Sequence, residues 1–353
     1  MINEVILHIG TPKTGTSSLQ NSLANFDDGR TFYAKFLNKN NNFISNHSNY
    51  LLPTFSLNKN FDNDFPDFAS LGRKKLLHML NEHLDRSDRE RIIISAEGIF
   101  DAMSLASKKK LLEYLGQRCK KLVVICYVRD PQDYAKSMFQ QFLKMGTNFI
   151  PNKINTNYKK NLNVFINSKY VNEIIVEKFD KSNLYEKCVV KDFCSKFDLK
   201  INENDIKKTN ESLSISAVKI MYALNRSDFP SAGEVTLNNT RNQLANYLNL
   251  IYPNTEKISS NYFSCITDFS DIDYMKKTFD ISFIKRDKKL LNTRDELDKY
   301  LKDLSEVNLN PMLDKLKEHG IVNNYLDTHI SIVIRIFLLI FRNPKKLRIE
   351  HKL

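Results

Sequence analysis

Cysteine is scarce in this chain of 353 residues and forms no framework. The five cysteines, Cys119, Cys126, Cys188, Cys194 and Cys265, are odd in number and lack C-x-x-C spacing. That pattern argues against a zinc site and a disulfide scaffold, and for a reducing compartment with no metal bound. Long apolar runs are missing too: none reaches the ~20 residues of a membrane span. The nearest, Ile330–Phe341, is broken by Ser331 and Arg335 and precedes the basic tail Arg342–Arg348. Residues 330–348 therefore fit a helix lying on an anionic membrane surface, a docked terminal helix, or an oligomer contact. Repeats, low-complexity tracts and linkers rich in Pro, Gly or Ser are also lacking. The expected organisation is one domain over residues 1–353, with an α/β core in 1–200 and a helical part in 201–353 packed on it. No signal peptide precedes the first strand pattern, which places the protein in the cytoplasm, with peripheral membrane contact as the open variant.

What is present begins with charge. Lys and Arg number 53 against 41 Asp and Glu, a net +12. Such a surface attracts anions, whether a nucleotide, a membrane, a nucleic acid or an acidic polymer. A composition rich in Lys and Asn throughout would give the same balance without any such partner.

Four segments have the length and β-branched content of buried parallel strands: Val5–Ile9, Arg91–Ser95, Leu122–Val128 and Glu173–Phe179. Helical patterns at Thr16–Asn25, Arg73–Leu84, Lys108–Arg118 and Pro131–Met145 separate them. The alternation predicts an α/β fold, a P-loop-like parallel sheet flanked by helices. Residues 35–70, rich in Asn, Phe and Asp, read as an irregular insertion or lid. Beyond about residue 200 the strand signal stops, and helices are expected at Ser212–Asn225, Leu237–Leu250, Ile272–Phe279, Arg294–Leu304 and Asn310–His319. That part is mostly helical.

In such a sheet ligands sit beyond the carboxyl ends of the strands. After the first strand comes Gly10-Thr-Pro-Lys-Thr-Gly-Thr-Ser17, close to the phosphate-binding pattern G-x-x-x-x-G-K-[ST]. Thr16 stands where that pattern has lysine, and Lys13 is displaced into the loop. The loop offers backbone N–H groups and a helix N-terminus to an anion. Thr14, Thr16 and Ser17 add hydroxyls, and an ordinary unliganded turn is the plain alternative. After the third strand comes Tyr127-Val-Arg-Asp-Pro131, with Ser137 eight residues beyond Arg129. Arg129 suits a bidentate grip on phosphate, and Ser137 a further hydrogen bond. The Arg-Asp-Pro stretch is also compatible with a simple helix start carrying an internal ion pair.

Taken together, Pro12-Lys-Thr-Gly-Thr-Ser17, Tyr127-Val-Arg-Asp-Pro131 and Ser137 resemble the sulfotransferases that use 3′-phosphoadenosine 5′-phosphosulfate (PAPS). The resemblance covers about residues 1–200, and Asn210-Glu-Ser-Leu-Ser214 is similar to a stretch common in bacterial members. It implies that Pro12, Lys13, Thr14, Gly15, Thr16 and Ser17 hold the 5′-phosphosulfate. Lys13 would neutralise the bridging oxygen, while Arg129 and Ser137 would hold the 3′-phosphate. The sulfuryl group then passes in line to an acceptor hydroxyl or amine, leaving 3′,5′-ADP, with no metal and no nucleic-acid partner. Glu97, just past the Arg91–Ser95 strand, matches the position of a catalytic base in carbohydrate sulfotransferases. A capping or ion-pairing carboxylate is its alternative. His8, on the first strand beside the loop, is the rival base and equally a hydrogen-bonded core residue. Asp101 and Glu211 are weaker candidates. The resemblance implies a carbohydrate acceptor such as a cell-surface polysaccharide or glycolipid. Two other readings stand beside it. A P-loop kinase using ATP and Mg²⁺ would need a lysine after Gly15 and a metal-holding Asp at a strand end, whereas Asp130 belongs to the Arg-Asp-Pro turn. A non-catalytic module binding polyanions or membrane surfaces would use the loop structurally.

Overall fold

The computed structural model describes residues 1–57, 68, 70–86, 88–207, 212–227, 234–252, 257–283 and 293–318. The strands are β1 (Ile2–His8), β2 (Thr31–Tyr33), β3 (Phe36–Leu37), β4 (Phe43–Ile44), β5 (Arg91–Ser95), β6 (Cys119–Val128) and β7 (Glu173–Lys178). The helices are α1 (Thr16–Leu23), α2 (Ser48–Phe55), α3 (Arg73–Leu84), α4 (Gly98–Asp101), α5 (Leu105–Gly116), α6 (Pro131–Lys144), α7 (Tyr158–Ile166) and α8 (Val189–Lys196). They continue with α9 (Ile215–Asn225), α10 (Glu234–Ile251), α11 (Ile272–Phe279), α12 (Arg294–Lys302) and α13 (Asn310–Glu318).

Five strands form one sheet in the order β2-β5-β1-β6-β7, and every pairing is parallel. β1 is the centre, with His8 opposite Ser95 on one side and Ile125 on the other. Its run Val-Ile-Leu is buried on both faces, as a strand covered by helices above and below requires. Alternate residues serve two cores. Val5, Leu7, Ile92, Ile94, Leu122 and Val124 face one apolar cluster, with Leu111, Leu115 and Leu162 among its helical members. Ile6, Ile93, Val123, Ile125 and Tyr127 face the other, which includes Leu19, Val190 and Phe193. Because the strands are parallel, the segments following β1, β5, β6 and β7 emerge at a single edge.

The chain divides into two compact units. The first, 1–130 with 156–210 and 269–284, holds the sheet. The second takes 131–155, 211–268 and 285–353, and its described core includes Phe139, Met221, Tyr222, Leu244 and Leu297 from four helices. No strand is described after residue 200, as the sequence pattern predicts.

Sequence and structure differ where local signals are weak. α5 starts at Leu105, three residues before the expected Lys108, because Ser104 caps it: the Ser104 Oγ accepts from Ser107 N at 3.2 Å. β7 was expected to be buried but is a half-exposed edge strand. The described part of 35–70 is not irregular: it holds the short β3–β4 pair and α2, whose Leu51, Leu52 and Phe55 are buried. The expected segment 330–348 and the candidate Glu211 lie outside the described residues.

Two buried histidines lie beside β5. His8 Nδ1 and Ser95 Oγ are 2.8 Å apart, and His47 Nδ1 accepts from Ser95 N at 3.1 Å. Burial pushes both imidazoles down from 6.5 to about 3, so the fold keeps them neutral. The unfolded chain protonates them first, so their stabilising contribution is complete above pH 6.5 and lost as pH falls. Between pH 6 and 4 these two imidazoles alone contribute a two-proton difference between the states, a slope of about 2.7 kcal/mol per pH unit that carboxyls raised by burial, Glu97 among them, partly offset. Urea unfolding from pH 7 to 5 should show this decline, and His47→Gln should shallow it. A stability independent of pH over that range would contradict the assignment.

Candidate functional site

The loop after β1 is built by three left-handed residues, Gly10 (φ +49), Lys13 (φ +67) and Gly15 (φ +77). Two are glycines for a spatial reason as well. A Cβ on Gly15 would stand 2.8 Å from Val189 Cγ1 and 3.2 Å from Phe179 Cε2. A Cβ on Gly10 would stand 2.9 Å from Thr16 Oγ1 and 3.3 Å from Glu97 Cα. Lys13 has no such licence; a non-glycine residue there stores on the order of 1 kcal/mol of backbone strain. The loop hydroxyls are partly spent on holding this shape. Thr11 Oγ1 donates to the Tyr127 carbonyl at 2.7 Å, and Thr14 Oγ1 donates to the Thr11 carbonyl at 2.7 Å. Thr14 therefore has its backbone N–H, rather than its hydroxyl proton, to offer a ligand. Thr16 differs: its Oγ1 is buried at the start of α1 and has no hydrogen-bond partner. A buried hydroxyl without a partner beside a helix N-terminus is the mark of a missing acceptor.

Glu97 sits where β5 ends. Ala96 N donates to the His8 carbonyl at 2.9 Å, and Gly98 N donates to Ser48 Oγ at 2.8 Å, so its backbone is held from both sides. Burial pushes the Glu97 carboxyl up to about 7, against the pull of the Lys13 ammonium and with the push of Asp101. Those influences place Lys13, Glu97 and Asp101 within electrostatic reach of one another. Asp101 is itself raised by burial, and Lys108 opposes that rise. Lys108 is fully buried, donating to the Phe100 carbonyl at 2.6 Å and to Asn161 Oδ1 at 2.7 Å. It thereby fastens the turn that carries Glu97, and burial pushes its ammonium down to about 8.

Arg129 leaves the end of β6 and reaches the loop. Its Nη1 donates to the Lys13 carbonyl at 2.9 Å, and its guanidinium lies 5.6 Å from the centroid of Phe179. Its backbone is gripped twice by Tyr158, whose hydroxyl accepts from Arg129 N at 2.9 Å and donates to the Arg129 carbonyl at 2.7 Å. Tyr158 is set by Asp271, which accepts from Tyr158 N at 2.6 Å and from Thr156 Oγ1 at 2.8 Å. Ser137 lies on α6, which begins directly after Asp130 and belongs to the second unit. One turn further, Gln140 accepts from Leu213 N at 3.0 Å and pairs with Ser212, which absorbs the described part of the Asn210–Ser214 stretch.

The structure thus brings Lys13, Thr16, Glu97 and Arg129 to one edge of the sheet. His8 ends β1 at the same strand edge, but it is 1% exposed and its ring packs edge-on against Tyr127 and Phe193 with centroids about 6 Å away. Thr11, Tyr158, Phe179 and Lys108 were not anticipated. Thr11 fills an unspecified position of the loop pattern and the other three belong to neither motif, so the nearest cue was a lone polar or aromatic residue at a strand or helix end. Among the described residues no group of three or more His, Cys, Asp or Glu could hold a metal ion.

A family model described as a sulfotransferase domain matches residues 5–188, which spans β1, the loop, Glu97, Arg129 and Ser137. Comparison with curated proteins and with solved structures returned no match.

The raised Glu97 carboxyl carries a stability signature. Its neutral form suits the fold, so its contribution is full below pH 4.5 and lost as pH rises through about 7. Above that, a charged Glu97 costs the fold on the order of 3 kcal/mol. Glu97→Gln, which cannot ionise, should melt higher than the parent at pH 8.5, with the gap closing towards pH 5. A variant melting lower than the parent at pH 8.5 would show Glu97 to be a structural ion-pair partner instead.

Proposed function

The chain belongs to the sulfotransferase family, a transferase that moves sulfuryl groups, and from that premise we propose that its donor is PAPS and its acceptor a carbohydrate hydroxyl. A cell-surface polysaccharide or glycolipid fits best. The observation that carries the donor is the hydrogen bond from Arg129 to the Lys13 carbonyl, because it joins the two motifs into one anion cradle with two cations. PAPS has anionic groups at both its 5′ and 3′ ends, and ATP has none at 3′. The residues fit such a donor: an unsatisfied Thr16 hydroxyl, two left-handed glycines in the cradle, and a guanidinium held against the loop at the Lys13 carbonyl.

On this reading Pro12–Ser17 hold the 5′-phosphosulfate through backbone N–H groups, Thr16, Ser17 and Lys13, and Arg129 holds the 3′-phosphate. The donor supplies an activated sulfuryl group with 3′,5′-ADP as leaving group. Lys13 neutralises the charge that develops as that bond breaks, an effect worth ~10²–10³ in rate for one well-placed charge or donor. Glu97, with its carboxyl near neutrality, takes the acceptor's proton as the new O–S bond forms. His8, buried and held down to about 3, would serve as a core residue in this scheme. Residues 1–200 supply the donor-binding core. No described helix is long and apolar enough to cross a membrane. We place the enzyme in the cytoplasm, with acceptor delivery there or at the membrane face.

Thermal-shift titration with 3′,5′-ADP, 5′-AMP and ATP with Mg²⁺ tests the donor. Stabilisation should require the 3′-phosphate and weaken in Arg129→Ala; preference for ATP with Mg²⁺ would replace this reading with a kinase. Undiminished binding and biological activity in Lys13→Ala would instead favour a non-catalytic module.

The base has its own readout. Glu97→Gln should keep 3′,5′-ADP binding while transfer falls ~10²–10⁴-fold. Asp101 raises the Glu97 carboxyl, so Asp101→Asn should move the acid limb of kcat/KM to lower pH. An unmoved limb would take the base role from Glu97.

A further inference from the structure

Helices α5 and α7 of the first unit enclose a groove that sulfuryl transfer leaves without a role. Its cavity volume is about 540 Å³, comparable to small-ligand clefts of ~300–1,000 Å³. One wall is the stripe Leu105, Lys109 and Glu113, spaced four residues apart along α5. The other includes Lys160, Asn163 and Asn167 on successive turns of α7 and its end. From Leu105 to Glu113 that wall runs about 12 Å.

Its chemistry is unbalanced. Lys109, Lys160 and Lys169 line it, are exposed, and pair with no carboxylate among the described residues. Glu113 accepts a hydrogen bond from the Tyr170 hydroxyl at 3.1 Å. Asn163 accepts from Tyr274 at 2.8 Å, which commits its oxygen and leaves its NH₂ to donate. Tyr170 closes one end, with the Lys169 ammonium 5.1 Å from its ring centroid. This aromatic wall is tightly seated: a Cβ on Gly116 would lie 2.7 Å from Tyr170 Cβ. The opposite end, at Leu105, is four residues along the chain from Asp101. Lys160 there is near enough to help push the Lys108 ammonium down, and Lys108 fastens the Glu97 turn.

Carboxamides, an aromatic plate and unpaired ammonium groups match a sugar chain bearing carboxylates or sulfates. A nucleic acid is less suited, because no arginine lines the groove to grip phosphate bidentately. We propose that this groove binds an acidic oligosaccharide, the stretch of a glycan acceptor flanking the hydroxyl presented to Glu97. The link to Glu97 rests on the sulfuryl-transfer reading; the affinity for acidic glycan does not.

The test uses the full chain, fluorescein-labelled hexagalacturonate, neutral maltohexaose and a hexanucleotide, read by anisotropy at ~50 mM salt. Hexagalacturonate should bind at least ~tenfold tighter than either control, and Lys109→Glu with Lys169→Glu should weaken it by ~tenfold or more. Both lysines are exposed, and an unchanged melting temperature and 3′,5′-ADP shift in the double variant would show the fold and donor site intact. No binding of hexagalacturonate, equal binding of maltohexaose, tighter binding of the hexanucleotide, or indifference to the double reversal overturns the proposal. Loss of the 3′,5′-ADP response in the parent, with groove binding preserved, would remove the donor reading and leave the groove standing.

Discussion

The whole edge of the sheet depends on β1 being paired in parallel on both sides. With β5 and β6 flanking it in fixed register, the three segments that leave these strands have nowhere to diverge before they meet. Thr11 then binds the carbonyl of Tyr127, and Arg129 binds the carbonyl of Lys13, so the loop from β1 is stitched to the end of β6. Ala96 is stitched to His8 in the same way on the other side. A one-residue slip of β1 would exchange its two apolar faces and pull all three apart.

Around that frame two neighbouring carboxyls are flanked by two ammonium groups. Lys13 and Lys108 are positive, Glu97 and Asp101 negative, and each influences the next in a partly dry environment. Burial raises the carboxyl of Glu97 and lowers the ammonium of Lys108, bringing an acid and a base that ordinarily differ by about six units within a short interval. A buried lysine whose hydrogen bonds go to a carbonyl and an amide rather than to a carboxylate is an uncommon choice for simple stability. Here it links α5 to the turn of α4 and to α7, which also carries the tyrosine that grips Arg129.

Much of this was legible in the chain because the signals were local. The runs Arg91–Ser95 and Leu122–Val128 are β-branched and continuous, so their strand character and their ends were clear, and with them the positions of Glu97 and Arg129. The loop announced itself through Gly10 and Gly15. Illegible were the features set by tertiary contact alone. Tyr158 is 29 residues from Arg129 and belongs to no motif. Thr31–Tyr33 is too short to show a period, and its place in the sheet is decided by pairing with Arg91–Ile93. Lys108 read as an ordinary helical lysine, because nothing in a sequence distinguishes a buried ammonium from a solvated one. Thr14 and Thr16 looked alike, and only the packing separates the hydroxyl spent on Thr11 from the one left over.

The burial of Glu97 bears on how this protein could be altered. A carboxylate kept in a place that favours its neutral form is a standing conflict between folding and chemistry. On the base role proposed for Glu97, random mutagenesis screened for heat resistance alone would accept uncharged residues at that position and so enrich catalytically silent molecules. Improvement has to come from elsewhere in the chain, through caps and packing far from the sheet edge, with turnover kept under selection at every round.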